Sequence, residues 1–407
     1  MTAARTALVI GGGIAGPATA MALRKAGVEA TVYEAYPSVA DGVGVTLTVA
    51  PNGLAALRIL GAEDAVLRIG QPLTRALMYD GRGERLGEFP GLDGLPPSLG
   101  LWRDELCRVL HETAEAQGVR VEYGKRLVGA EESADGVTAH FADGTSATAD
   151  VLVGADGIRS AVRTLIDPDA PRPETTRLLN FGAAADIAVP ADRESSYFVF
   201  GERGFFGYWV QPDDRTAWFA NLPHDRPLSS AEARETSKAD WLVRLRDLYA
   251  GDTPCREVLA HTDAEALVVL GSLENMPKVP AWHRGRMVLV GDSAHAPSSS
   301  SGQGASQAVE GAVQLARCLR DLADPQSAFT AYEGLRRARA EKVIDRGNRT
   351  SNSKMMGPVA KKMMKLMMPL MMKTFLNPER TLGPEQRYTI DWDAPVVPQG
   401  EVPAQGL

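Results

Sequence analysis

The sequence predicts an α/β fold: a Rossmann-like βαβ domain with a parallel sheet, an inserted mixed or antiparallel β-sheet domain, and C-terminal helices. Three observations carry this expectation. A strand over 6–10, a helix from about 14 to 26 and a strand over Glu29–Tyr33 alternate at the start, and parallel strands joined by a helix cross over right-handed. Short alternating strands between 119 and 151 are separated by Asp135-Gly136 and Asp143-Gly144, a meander pattern. Longer strands fill 178–222, including a hairpin in which Phe205–Val210 turns at Pro212–Asp214 into Ala217–Phe219.

The remaining elements follow in order. Residues 72–100 are Gly- and Pro-rich with short strands at 76–79 and 84–86, a helix spans about 103 to 117, and helices dominate from about 303. The expected division is a first domain of 1–71, 101–176 and 277–350, and a second of 72–100 and 177–276. A bridging helix at 351–376 and an extended, Pro-rich tail at 377–407 complete it.

Composition narrows the partners. A chain of 407 residues has room for two packed domains. Its 44 Lys and Arg against 51 Asp and Glu leave a net charge of −7, which argues against nucleic acid as a general partner. Cys107, Cys255 and Cys318 are odd in number and far apart, without zinc or redox spacing, and read as buried thiols in a reducing compartment. The chain runs almost at once into the strand Ala7–Ile10, leaving no room for a signal peptide, and no apolar run reaches the roughly 18 residues of a membrane span. A cytoplasmic protein is expected.

The strand at 6–10 feeds Gly11-Gly12-Gly13-Ile14-Ala15-Gly16. Gly11 lets the chain turn sharply, Gly13 lets the backbone approach a pyrophosphate, and Gly16 lets helix and strand pack closely, while the helix start presents free N–H groups. Glu34, at the end of the next strand, is placed for ribose hydroxyls, and its charge would repel a 2′-phosphate. At this point NAD and FAD both remain open. Two further motifs, Val151-Leu152-Val153-Gly154-Ala155-Asp156-Gly157 and Gly291-Asp292-Ser293-Ala294-His295, spread the phosphate-binding devices over most of the chain and select the larger dinucleotide, FAD.

With these motifs in this order, roughly residues 5 to 345 resemble the FAD-dependent class A aromatic-ring monooxygenases of the para-hydroxybenzoate hydroxylase fold, with a flavour of the tetracycline- and polyketide-oxygenating branch. The resemblance implies that the glycine turn, Gly11, Gly13, Ile14, Ala15 and Gly16, holds the ADP half of FAD, and that Glu34, Ala35 and Gly44 also belong to the cofactor-binding set. It implies that Asp156 contributes to FAD and nicotinamide binding, that Asp292 bonds the ribityl and pyrophosphate region, and that Arg103, opening its helix, joins them. Gly302-Gln303-Gly304 would bring N–H groups toward the flavin pyrimidine ring. It further implies that NADPH or NADH binds transiently and reduces FAD, that O2 adds to give a C4a-hydroperoxide, and that one oxygen passes to a bound organic substrate. No side chain need then be a nucleophile or metal ligand.

The chain departs from its relatives at Ala35, where many carry Arg, which leaves NADPH against NADH open, and at Gly311, where many carry Asp. Ser298–Ser301 replaces a bulkier loop and points to a fairly large substrate. Individual residues carry plainer readings beside the functional ones. His295 is a structural hydrogen-bonding group or a proton relay; Asp156 caps a turn or binds cofactor; Glu131-Glu132 is a solvated loop. Tyr208, Trp209, Trp218 and Pro297 are expected to line the substrate cleft, although alternating strand faces turn at least one of Tyr208 and Trp209 away. The Met/Lys-rich stretch 354–376 reads as a helix packed across the domains, or as a peripheral membrane or partner helix. The rival functions are a flavin dehydrogenase or reductase on the same fold and a membrane-peripheral flavin-binding protein.

Overall fold

The computed structural model describes residues 4–39, 44–354 and 377–397. All but the first residue of the Met/Lys-rich stretch 354–376 lies outside them, as do 398–407. The first sheet has the order His283–Arg284, Met287–Leu289, Val151–Gly154, Thr6–Ile10, Glu29–Tyr33, Arg120–Glu122. Its strands are parallel except the first pair. Both faces of a parallel sheet must be covered, and the strands are accordingly continuous apolar runs: Leu8, Val9 and Ile10 are 3% exposed or less, and Val151, Leu152, Val153 and Val288 are at 0%. The helix Ala15–Lys25 packs between this sheet and the helix Gly304–Asp321, and its Ala15, Gly16, Ala18, Ala20 and Ala22 keep the approach close.

Register brings the motifs together. Ile10 lies beside Tyr33 on one side and Gly154 on the other, and Gly154 lies beside Leu289. Gly11, Glu34 and Ala155, which follow these strands, and Gly291, one residue further on from its own, therefore leave the sheet along one carboxyl edge, where open α/β sheets bind ligands.

A seven-stranded sheet forms the second layer system, in the order Val268–Asn275, Glu174–Ala185, Thr216–Pro223, Phe205–Val210, Ser195–Phe200, Arg75–Asp80, Arg85–Pro90. Only the Ser195–Phe200 and Arg75–Asp80 pair is parallel. The helices Lys238–Leu248 and Cys255–Ala260, which the strand pattern did not reveal, contribute to the core on one face with Phe181, Phe206, Trp218, Trp241 and Tyr249, each no more than 1% exposed. The opposite face meets a small sheet of Thr46–Val49, Ser98–Trp102 and Gln71–Leu73, where Trp209 packs with Leu73, Ala217 and Trp102.

This parity corrects the expectation for two rings. Tyr208 and Trp218 are cross-strand partners and share the helix-covered core, with Trp218 Nε1 donating to Thr262 Oγ1 at 3.0 Å. They line that core, not a cleft. Trp209 faces the other way.

The tail is not simply extended. It forms the short helices Pro378–Thr381 and Gly383–Gln386, then runs beside the helix Gly304–Asp321. Arg320 lies 4.8 Å from the Trp392 ring and donates to its carbonyl at 2.6 Å, Arg317 donates to Ala394 O at 2.6 Å, and Arg387 reaches Asp93 O at 2.9 Å.

Candidate functional site

At the carboxyl edge, Gly11 has φ +103°, and a Cβ there would come within 2.6 Å of Ala155 O. A Cβ on Gly16 would stand 1.9 Å from Gly11 O, so the helix can sit this close to the turn only with glycine. Gly13 differs: its Cβ position has only Arg103 Nη2 within 4 Å, at 4.0 Å, so its open side is left for a ligand. Ile14, the residue before the helix, supplies no side-chain cap, and the first helical N–H groups remain available. Glu34 Oε2 accepts from Gly12 N–H at 2.5 Å and Oε1 from Tyr36 N–H at 2.9 Å, which ties the glycine turn to the bend through Ala35.

Asp156 is engaged by its own loop. Its carboxylate accepts from Ser160 Oγ at 2.5 Å, Ala161 N–H at 2.7 Å and Val162 N–H at 3.1 Å, capping the helix Ala161–Ile166, while burial raises its pKa. Its backbone nonetheless lies against Gly11. Buried Arg163 donates to Ser293 O at 3.0 Å and Ile158 O at 2.6 Å, joining this loop to the Gly291-Asp292 turn.

Gly291 takes φ +67° and starts the short helix Asp292–His295. Asp292 keeps solvent-accessible surface although the surrounding protein pushes its pKa up, as expected of a group on the wall of a deep cleft; the charge of Arg103 opposes that rise. Arg103 opens the helix Arg103–Ala116, and its stem fits because Gly44, at φ +109°, has no Cβ, which would stand 2.8 Å from Arg103 Cδ. Gly13, Gly44 and Asp292 thus gather around Arg103 from separate stretches of chain, with Glu34 bonded to the same glycine turn. Gly302, left-handed at φ +63°, is held by Thr48 Oγ1 donating to its carbonyl at 3.3 Å. Gly304 begins the next helix with only Pro297 Cγ, at 4.0 Å, near its Cβ position.

Sequence reasoning missed what stands behind that loop. Glu310, at 0% exposure, accepts from Arg336 Nη1 at 2.5 Å, from Arg339 Nε and Nη2 at 2.9 Å each, and from Asn52 Nδ2 at 2.6 Å. Burial alone would raise its pKa, but Arg336 and Arg339 bring it below the ordinary value. Asn52 also donates to Gln303 Oε1 at 2.9 Å, so the network fixes the residue between Gly302 and Gly304. A helical Glu followed by two arginines 26 and 29 residues later was its one sequence trace.

His295 is buried, and desolvation, aided by the Arg336 charge, lowers its pKa to about 3, so it is neutral at ordinary pH. The unfolded chain, with a His pKa of about 6.5, binds a proton before the folded one does as pH falls. Stability is therefore expected to decline from about pH 6.5 down to about pH 3, with this residue contributing roughly 4 kcal/mol of the loss. Denaturant unfolding at stepped pH should show His295→Gln flattening that slope; an unchanged slope would place the acid sensitivity elsewhere.

Among the described residues, no helix is long and apolar enough to cross a membrane, and no group of three or more His, Cys, Asp or Glu is placed to hold a metal. A family model described as an FAD binding domain matches residues 4–347. The aurachin C monooxygenase/isomerase of Stigmatella aurantiaca is 30% identical over 344 residues, covering 83% of this chain and 87% of that protein. The FAD-dependent urate hydroxylase of Klebsiella pneumoniae is also 30% identical, over 351 residues with the same coverage. The crystal structure of Klebsiella pneumoniae HpxO with FAD and uric acid superposes with a TM-score of 0.71 at 26% identity, covering 94% of this chain and 93% of that one. Tetracycline destructase Tet(51), at 18% identity and a TM-score of 0.72, shares the fold, covering 95% of this chain and all of that one. The open flank of Gly13, the uncapped helix start, Glu34 and the cleft wall at Asp292 fit an extended dinucleotide. This chain belongs to the FAD-dependent monooxygenases, and it is an enzyme of that family with FAD as its cofactor.

Proposed function

We propose that the enzyme uses NADPH or NADH and O2 to oxygenate a fairly large aromatic or polyketide-like molecule lying between the cofactor cleft and the face of the seven-stranded sheet opposite its helices. One observation carries this reading: that face is an aromatic surface. Beyond Trp209, the rings of Phe198, Phe205 and Phe219 lie 5.9–6.4 Å apart between centroids. Phe219 lies over Gly207, whose Cβ would be 2.4 Å from that ring. Asn221 Nδ2 donates to Asn180 Oδ1 at 3.1 Å on the same face, adding an amide pair beside the rings. Val45, which follows Gly44 beside Arg103, comes against Gly182 of this sheet and brings the two surfaces to one place. Offset ring stacking plus a polar edge suits a flat conjugated substrate.

In this reading Gly11, Gly13, Gly16 and the helix start hold the pyrophosphate, Glu34 takes ribose hydroxyls, and Arg103 and Asp292 flank the ribityl side. The N–H groups near Gly302 and Gly304 face the pyrimidine ring, where negative charge gathers on reduction. FAD, when bound, supplies the redox chemistry; the protein positions it, holds the substrate and excludes water. Ala35 beside Glu34 leaves the choice of nicotinamide cofactor open. Three buried free cysteines favour a cytoplasmic setting.

The test is the visible spectrum of the purified enzyme under anaerobic NADPH or NADH. The flavin bands are expected to bleach with at least one of them and return with air, and 18O2 is expected to label the product of a polycyclic aromatic substrate. Turnover without label would replace this reading by a dehydrogenase.

A further inference from the structure

Gly12 has both backbone polar groups held by side chains. Its N–H donates to Glu34 Oε2 at 2.5 Å, and its carbonyl lies 2.5 Å from His111 Nε2. His111 sits two turns into the helix that Arg103 opens, on its buried face with Cys107 and Leu110, and is 2% exposed. On its other side Nδ1 lies 3.2 Å from the Tyr123 hydroxyl, with the two rings stacked at 24°. A carbonyl oxygen can only accept, so Nε2 carries the proton, and Nδ1 pairs with the Tyr123 hydroxyl on the far edge of the ring.

The consequence lies in the next peptide. The Gly12 carbonyl and the Gly13 N–H belong to one planar trans unit and point in opposite directions. Holding the carbonyl toward the helix aims the Gly13 N–H away from it, and the flank of Gly13 is the open one. A leucine at position 111 would bury the same space without the desolvation cost of an imidazole, so space-filling does not account for the residue.

We propose that His111, its ring held by Tyr123, is a positioning residue for FAD: it orients the Gly13 N–H toward the pyrophosphate through the Gly12 carbonyl. This rests on the reading that the glycine turn holds the pyrophosphate, and the experiment separates the two.

FAD is titrated into the apoproteins of the wild type and of His111→Leu, His111→Gln, Tyr123→Phe and Glu34→Ala, with flavin fluorescence as the readout. His111→Leu is expected to weaken FAD binding roughly tenfold or more. His111→Gln, whose amide N–H reaches about where Nε2 does, is expected to restore most of it, and Tyr123→Phe to fall between. 15N NMR of the wild type is expected to show a proton on His111 Nε2. A folded His111→Leu protein with wild-type affinity overturns the inference, and so does an Nε2 found without a proton, which decides the matter even if that variant does not fold. If Glu34→Ala also binds FAD normally, the placement of the ADP half itself is wrong; if only His111→Leu does, the fault is confined to His111.

Discussion

Replacing Glu310 by Ala is expected to cost about 3–5 kcal/mol of folding stability, the usual penalty for breaking a buried ion pair on one side. Arg336 is fully buried and its charge has Glu310 as its ion-pair partner, while Arg339 is largely covered. Without the carboxylate, two guanidinium groups would face a poorly solvated interior. Denaturant unfolding of the apoprotein at neutral pH measures the loss. The double variant Glu310→Leu with Arg336→Met should recover part of it, because removing both charges also removes the desolvation penalty of each. The damage should also reach the cofactor loop, since Asn52 would lose the Glu310 oxygen and keep only Gln303 as its acceptor among these contacts. A Glu310→Ala protein as stable as the wild type would mean that water solvates the arginines where the structure places them in a dry core.

How much of this was legible depends on how local each determinant is. The glycine turn could be read from the sequence because its constraints are steric and short-range: a positive φ at Gly11 and a helix pressed against it at Gly16 leave few residue choices. The order of the motifs gave the cofactor, and the parallel strands that align them follow from βαβ handedness. Tyr208 and Trp218 were misplaced because alternation fixes which residues share a face but not which face is covered. That was settled by the helices Lys238–Leu248 and Cys255–Ala260, invisible to a reading guided by strands. The Asp156 carboxylate was ambiguous for a different reason: the same Asp-Gly loop serves as a helix cap and as a neighbour of the glycine turn, and the structure shows both placements. Glu310 with Asn52, 258 residues apart, and His111 with Gly12, 99 apart, left no local pattern to find.

Gly13 and Gly16 stand in the same motif, yet substitution is expected to separate their roles completely. Gly16→Ala puts a methyl group 1.9 Å from Gly11 O and 3.0 Å from Gly11 C, backbone atoms that cannot rotate aside. The helix Ala15–Lys25 would have to lift off the sheet, at about 3 kcal/mol, and the apoprotein itself should melt several degrees lower. Gly13→Ala meets nothing closer than Arg103 Nη2 at 4.0 Å, and Gly13 does not need a positive φ, so the apoprotein should be as stable as the wild type or slightly more so. Its methyl group instead occupies the flank where a pyrophosphate would approach the backbone, and FAD affinity should fall roughly a hundredfold. Melting curves of the two apoproteins and FAD titrations of each therefore give opposite patterns: one variant loses the fold and the cofactor together, the other the cofactor alone. Wild-type affinity in Gly13→Ala would show that the dinucleotide passes the turn on some other side, and the placement of Glu34 on its ribose would have to be abandoned with it.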